Sequence, residues 1–319
     1  MKIELIIQNG ETYYMPVLAD NAVWSTDRKG SPGKLTVTVV KDQTIDFHEG
    51  NPVRLSIDGK PIFYGFVFTK KRDKKHHIAV TAYDQIRYLL NKDTYTYKSK
   101  TAGEVVEMIA ADYNLKLGEI EKTGFRIAKR SEKDSTLLDI IYNALDQELL
   151  NNGKMYVLYD DFGKLTLKSL DSMKLDLLID DASAENFDYS TSIDEKTYNR
   201  VKLAFDNEKA GQRDIFIAQD GENINRWGIL QFTDTLKEGE NGESKADALL
   251  DLYNVKTRKL KVSKVRGDIR VRAGGMVLVK LGVGDMNVQN YMLAEKAVHT
   301  FGGAGHSMDL TLRGGEFIV

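Results

Sequence analysis

The sequence predicts a mainly β, α+β protein: two similar small antiparallel β-barrels flanking a helical α+β insert. Three observations predict it. Short alternating strand signals separated by turn residues fill the first 88 residues and resume near Tyr198. Between them, segments with helix caps and 3.6-residue apolar periodicity interrupt the β pattern. Finally, a stretch near residue 50 is echoed near residue 274.

The first domain, 1–88, opens with the β-branched run Leu35-Thr36-Val37-Thr38-Val39-Val40. Val53-Arg54-Leu55-Ser56-Ile57 alternates apolar and polar residues, Asp58-Gly59-Lys60 supplies a hairpin turn, and Pro61–Thr69 is the returning strand. The basic run Lys70 to His77 then reads as a solvated hairpin tip that could also touch nucleic acid or an acidic partner surface, before the strand Ile78–Ala82.

The insert, 89–175, begins with a helix capped by Thr101 and Glu104, with Val105, Ile109 and Tyr113 on one face. A second helix runs from about Ser135 to Leu150 on the stripe Leu137, Leu138, Ile141, Ala144, Leu145 and Leu149, and Asn151-Asn152-Gly153 stops it. Met155–Tyr159, a turn at Asp160–Gly163 and Lys164–Leu167 form a hairpin.

In the last domain, 176–319, Tyr198–Phe205 reads as a strand. A third helix is expected over 244–259, capped by Ser244 and Asp247 and striped by Ala248, Leu249, Leu252 and Val255 after the loop Lys237–Gly242. The tail from Asp268 to the end is strand-rich, with a turn at Gly282–Asp285 and a loop at Gly302–Gly305. The echo aligns Glu49–Ile57 with Ala273–Leu281, Tyr64 with Tyr291, and Ile78, Val80 and Ala82 with Met308, Leu310 and Leu312. Two like modules in one chain would let a trimer present six-fold pseudo-symmetry.

Composition narrows the functional classes. The 319 residues are 42 % hydrophobic and 29 % charged, enough for a sizeable core without staples. The absence of cysteine excludes disulfides, thiol nucleophiles and cysteine-based zinc sites. A net charge of −2 gives no sign of nucleic-acid binding. The broken apolar run at Met1–Gly10 reads as neither a signal peptide nor a membrane span, so no membrane insertion is expected.

No motif carries chemistry. Asp161-Phe162-Gly163 matches a kinase tripeptide but lacks the accompanying kinase elements, and reads as a turn. His48, His76, His77, His299 and His306 show no paired ligand spacing and read as solvated turns and strand ends. The acidic pairs Asp160/Asp161 and Asp180/Asp181 read as solvated loops, although a facing carboxylate pair would suit a glycosidase. Trp24 and Trp227 read as core or interface anchors. No catalytic, cofactor-binding or metal residue is assigned, and no cofactor is expected.

Several segments carry a resemblance. They are Val80-Thr81-Ala82-Tyr83-Asp84, Arg87–Tyr97, Tyr156–Leu165, Thr197–Leu203, Trp227–Gln231 and Gly267–Gly274. In this order, across most of the chain, they resemble the XkdQ- or YqbQ-type baseplate hub family of PBSX-like contractile phage tails, itself similar to myophage tail hubs and late-control D proteins. The resemblance implies a non-enzymatic virion structural protein: a homotrimer whose paired barrels form a pseudo-hexameric ring joining the tail tube to the spike. It implies tube, spike and other baseplate proteins as partners, with the tape measure protein as a further candidate. It places the chain in the tail baseplate of a phage or a phage-like bacteriocin, assembled in the host cytoplasm. The alternatives are a tail-associated peptidoglycan-degrading enzyme and a cell-wall-binding module.

Overall fold

A computed structural model describes residues 1–194, 196–207, 212–236, 240–283 and 286–314. The protein is mainly β. The N-terminal strands are β1 (Ile3–Asn9), β2 (Thr12–Tyr14), β3 (Ala22–Asp27), β4 (Lys34–Val40), β5 (Pro52–Ile57), β6 (Lys60–Arg72) and β7 (His77–Tyr83). The Asp58-Gly59 turn between β5 and β6 has both residues at positive φ, as a tight two-residue hairpin requires. The basic run ends β6 and leads through an exposed tip into β7, as expected.

The insert contains β8 (Lys92–Lys100), α1 (Ala102–Asp112), β9 (Leu117–Ile120), β10 (Ile127–Thr136), α2 (Leu137–Asn152), β11 (Tyr156–Asp160) and β12 (Leu165–Ser169). Thr101 and Glu104 form the full reciprocal capping box at α1. Helix α2 is capped by the Thr136 side chain and stopped by Gly153 in the left-handed conformation. Both helices pack with β11 and β12 around one apolar core that includes Val105, Ile109, Leu137, Ile141, Leu158 and Leu167.

The chain continues through β13 (Lys174–Asp180) and β14 (Asn186–Ser192). It then builds a unit with its own core, of β15 (Arg200–Asn207), β16 (Gln212–Gln219), α3 (Gly221–Trp227), β17 (Gln231–Thr235) and α4 (Gly242–Tyr253). Helix α4 corrects the expected 244–259 helix. Its cap is Asn241, which accepts from the Ser244 amide, and its buried positions are Gly242, Ala246 and Leu249; of the predicted stripe Leu249 is buried, while Ala248, Leu252 and Val255 are half-buried. It stops at Asn254 because Thr257 already pairs with Ser192 on β14. Of the predicted turn at Gly282–Asp285 and loop at Lys237–Gly242, residues 284–285 and 237–239 lie outside the described residues.

The final strands are β18 (Thr257–Arg266), β19 (Met276–Val283), β20 (Met286–Gly302) and β21 (Gly305–Gly314). The N- and C-terminal strands merge into one 13-stranded sheet. Its order is β14-β18-β21-β20-β3-β4-β7-β6-β5-β1-β2, with β19 and β13 branching from β20. Among the described residues no pairing closes either half into a barrel.

The sequence echo is a structural repeat. One half runs β3-β4-β7-β6-β5-β1 and the other β14-β18-β21-β20-β19-β13. The pairings agree in sense except the last, which is antiparallel for β1–β5 and parallel for β13–β19. The register agrees as well. Pro52 opposes Phe66 and Phe66 opposes Tyr83; Met276 opposes Leu293 and Leu293 opposes Arg313. Each central strand slips by one residue at the same point, at Phe68 in β6 and Glu295 in β20. Such a bulge bends a strand, and here each long strand changes partners across the bend.

The loop before each half's β5 or β19 repeats too. The Gly50 amide donates to Val67 O and the Val67 amide to Asn51 O; the Gly274 amide donates to Ala294 O and the Ala294 amide to Gly275 O.

Candidate functional site

The two halves meet along one seam, where β3 pairs antiparallel with the outer part of β20. Trp24 stands opposite His299, Ser25 opposite Val298, Thr26 opposite Ala297 and Asp27 opposite Lys296. Arg28 grips Glu295 at the bulge with two hydrogen bonds of 2.7 and 3.1 Å. Arg313 approaches the same carboxylate at 3.6 Å. Burial alone would raise the Glu295 carboxyl, but Arg28 and Arg313 outweigh it and hold the group below its ordinary range.

The seam also anchors the insert. The Tyr142 hydroxyl on α2 donates to Arg28 O at 2.8 Å, and Lys29 reaches Asp146 at 3.3 Å. The Ala273 amide donates to the Thr26 hydroxyl at 2.9 Å.

Beside the seam, a charged node joins three distant stretches. Asp84, just past β7, accepts from the Gly33 amide at 2.9 Å and the Ile86 amide at 3.1 Å. A Cβ at Gly33 would lie 2.3 Å from the Asp84 carboxylate, so any side chain there would displace that group. Asp160, at the end of β11, accepts from the Gly163 amide at 2.6 Å. Arg272 donates to Asp160 O at 2.7 Å and lies 3.9 Å from the centre of the Tyr159 ring.

Burial, then the neighbouring Asp160 charge, pushes the Asp84 carboxyl well above its ordinary range against the pull of Arg272. Burial also raises Asp160, opposed by the Gly163 amide, Gln85 and Arg272. Two carboxylates and one guanidinium without solvent favour retention of a proton at this node.

The structure corrects the solvated-loop reading of Asp160, which is buried while Asp161 faces solvent. The Asp161-Phe162-Gly163 turn folds as expected, and Gly163 lies so close to Tyr64 that a Cβ would meet the ring at 2.6 Å. Asp180 accepts from the Ser183 amide and Asp181 from the Gly282 amide.

His299 is not the solvated histidine that the sequence suggests. It lies near the end of β20 but is fully buried, stacked on Trp24 and Phe301. Its Nε2 lies 2.9 Å from Val271 O and its Nδ1 2.9 Å from His306 Nε2. A carbonyl only accepts, so His299 donates through Nε2 and receives the His306 N–H at Nδ1. Burial, then His306, pushes His299 down to about 4. His48 and His76 are exposed and His77 partly so, at turns and strand ends as expected. Trp24 is core, whereas Trp227 is half-buried beneath Lys256.

Among the described residues no group of three or more histidines and carboxylates is placed to hold a metal, and no helix is long and apolar enough to cross a membrane. The polar residues of this region therefore hold modules together by bidentate charge pairing, backbone capping and stacking.

Residues 22–313, from the first seam strand to the last paired strand, match the family described as YQBQ-like. The chain belongs to that family. It is similar to the phage-like element PBSX protein XkdQ of Bacillus subtilis, 29 % identical and covering 97 % of this chain and 96 % of the relative. Among solved structures it is similar to the 43 kDa tail protein of prophage MuSo2 from Shewanella oneidensis, with a TM-score of 0.71 at 12 % identity over 97 % of this chain and 98 % of that one. It also resembles the E. coli c3393 protein, described as a type VI secretion component structurally similar to the bacteriophage T4 tail proteins gp27 and gp5, with a TM-score of 0.57 at 10 % identity over 99 % of this chain and 78 % of that one. These likenesses show that the fold is one used by phage tail proteins.

Proposed function

We propose that the chain is the structural hub of a contractile phage or phage-like tail baseplate. Three copies form a ring of six like β modules between the tail tube and the central spike. The observation that carries this is the internal repeat, joined by one continuous strand pair. A chain with two equivalent halves can show six-fold character to one neighbour and three-fold character to another. The resemblance to a PBSX element protein and to tail-protein folds supports a tail setting, and the relation of the c3393 protein to gp27 and gp5 supports a position beside a spike. In this reading the 89–175 insert and the 199–254 unit decorate the ring, and no step of chemistry belongs to the chain.

The buried charges favour this role over a wall-degrading enzyme. A glycosidase needs two carboxylates facing a bound sugar. Here the Asp84–Asp160 node is enclosed and occupied by Arg272 and backbone amides. The test is light scattering on the purified chain, alone and mixed with its tube and spike proteins. A trimer, alone or on mixing, supports the hub. A monomer that binds neither protein rejects it, and peptidoglycan cleavage would then be assayed.

A further inference from the structure

The repeat makes a definite statement about unused strand edges. Within the chain, β3 of the first half pairs with β20 of the second. The counterpart of β3 is β14, because Trp24 opposes Leu35 as Tyr189 opposes Leu260. The counterpart of β20 is β6, because Arg72 opposes Ile78 as His299 opposes Met308. The β3–β20 seam thus has a second version, β14 with β6, which the single chain leaves unmade.

Both edges of that second version are open. Among the described residues β14 pairs only with β18, and β5 leaves β6 at Phe66, so Thr69–Arg72 have a strand on one side only. Exposure agrees. Ala22, Trp24, Ser25 and Thr26 of β3 are buried, whereas Asp188, Ser190 and Thr191 of β14 are exposed, as are Lys71 and Arg72 of β6. The open edge of β14, with the exposed apolar Phe187, presents unpaired backbone groups that a strand of another chain can take up.

We infer that β14 of one copy pairs antiparallel with Thr69–Arg72 on β6 of a second copy of this chain, in the register of the β3–β20 seam. Tyr189 then stands opposite Arg72, Ser190 opposite Lys71, Thr191 opposite Lys70 and Ser192 opposite Thr69. The contact is head-to-tail, with different edges on the two copies, so repeated application closes a ring or extends without limit. Asp188 falls diagonally across from Lys71, within reach on the same sheet face, and the Lys70-Lys71-Arg72 run meets a strand with no basic residue. The pairing ends at Arg72, the last residue of β6, because one step further would set Asp73 directly opposite Asp188. The inference rests on the ring reading above and adds which strands, and which residues, make the joint.

The cysteine-free chain allows a direct test. Directly opposed residues of antiparallel strands lie about 4.5–5.5 Å apart at Cα, within disulfide range. The Ser190→Cys/Lys71→Cys chain, assembled into tails and mildly oxidised, should give covalent dimers and trimers on a denaturing gel. A two-residue slip, Ser190→Cys/Thr69→Cys, should link at least tenfold less, and each single variant should stay monomeric. Hydrogen exchange on the unmodified chain gives a second readout: amides of 189–192 and 69–72 should slow at least a hundredfold between isolated chain and tail. Several copies per tail by mass, with no disulfide between positions 190 and 71 and no protection, would overturn the joint and leave the ring standing. A single copy per tail would overturn both.

Discussion

Gly50 and Gly274 stand at the same point in the two halves, with φ of +88° and +90°. Each lies two residues before a strand, and each amide donates to the central strand of its half. The surroundings differ. A Cβ at Gly50 would meet nothing within 4 Å, whereas one at Gly274 would lie 2.4 Å from Val157 of the insert. Alanine at Gly50 should therefore cost only the left-handed backbone penalty, about 1 kcal/mol. Alanine at Gly274 should cost about 2–3 kcal/mol, through added crowding of the core. Urea unfolding of the two variants checks the order; equal losses would deny the insert contact.

The Arg28–Glu295 pair locks the bulge of β20 to β3. Arg28→Ala leaves a partly buried carboxylate with Arg313 alone, and should destabilise by about 2–3 kcal/mol. High salt should not reproduce the loss, because partly buried pairs are weakly screened. Melting curves in low and high salt test both statements.

Asp84 makes stability fall as pH rises above the ordinary carboxyl value. Its folded carboxyl titrates above the ordinary value of 3.8, so the native chain holds its proton more tightly than the unfolded one. That contribution is fully present below 3.8 and is lost as pH rises through the raised folded value. Asp84→Asn cannot accept both the Gly33 and Ile86 amides, so it should be less stable than the parent at acid pH. The gap should narrow as pH rises, as read by melting temperature against pH.

His299 acts in the opposite sense. Its folded pKa of about 4 lies below the ordinary 6.5, so its stabilisation is complete above 6.5 and is lost as pH falls toward 4. The loss amounts to about 3 kcal/mol across that window. His299→Gln keeps an N–H donor for Val271 O but does not titrate. It should start less stable at pH 7 and show a shallower fall on acidification.

Much of the local architecture was legible in the residues. Thr101 and Glu104 announced their capping box, Asp58-Gly59 its hairpin, and the echo of Glu49–Ile57 in Ala273–Leu281 its offset in the final register. These features are set by neighbours in sequence or by repetition. The node was not legible, because Asp84, Asp160 and Arg272 become partners only when three separate stretches converge. His299 looked like any strand-end histidine, since its burial comes from Trp24 on a strand near the other end of the chain. The end of α4 was misplaced because its last apolar positions kept a helical spacing while pairing between Thr257 and Ser192 decided for strand.

The β3–β20 seam also governs the geometry of the halves. Nothing in a continuous ladder acts as a hinge, so the angle between them comes from strand twist, about 20–25° per neighbouring pair, together with the bend at Glu295. The chain is then a stiff bracket of fixed pitch. A substitution that merely re-aims that bend would leave each half folded while changing the diameter of any ring built from it.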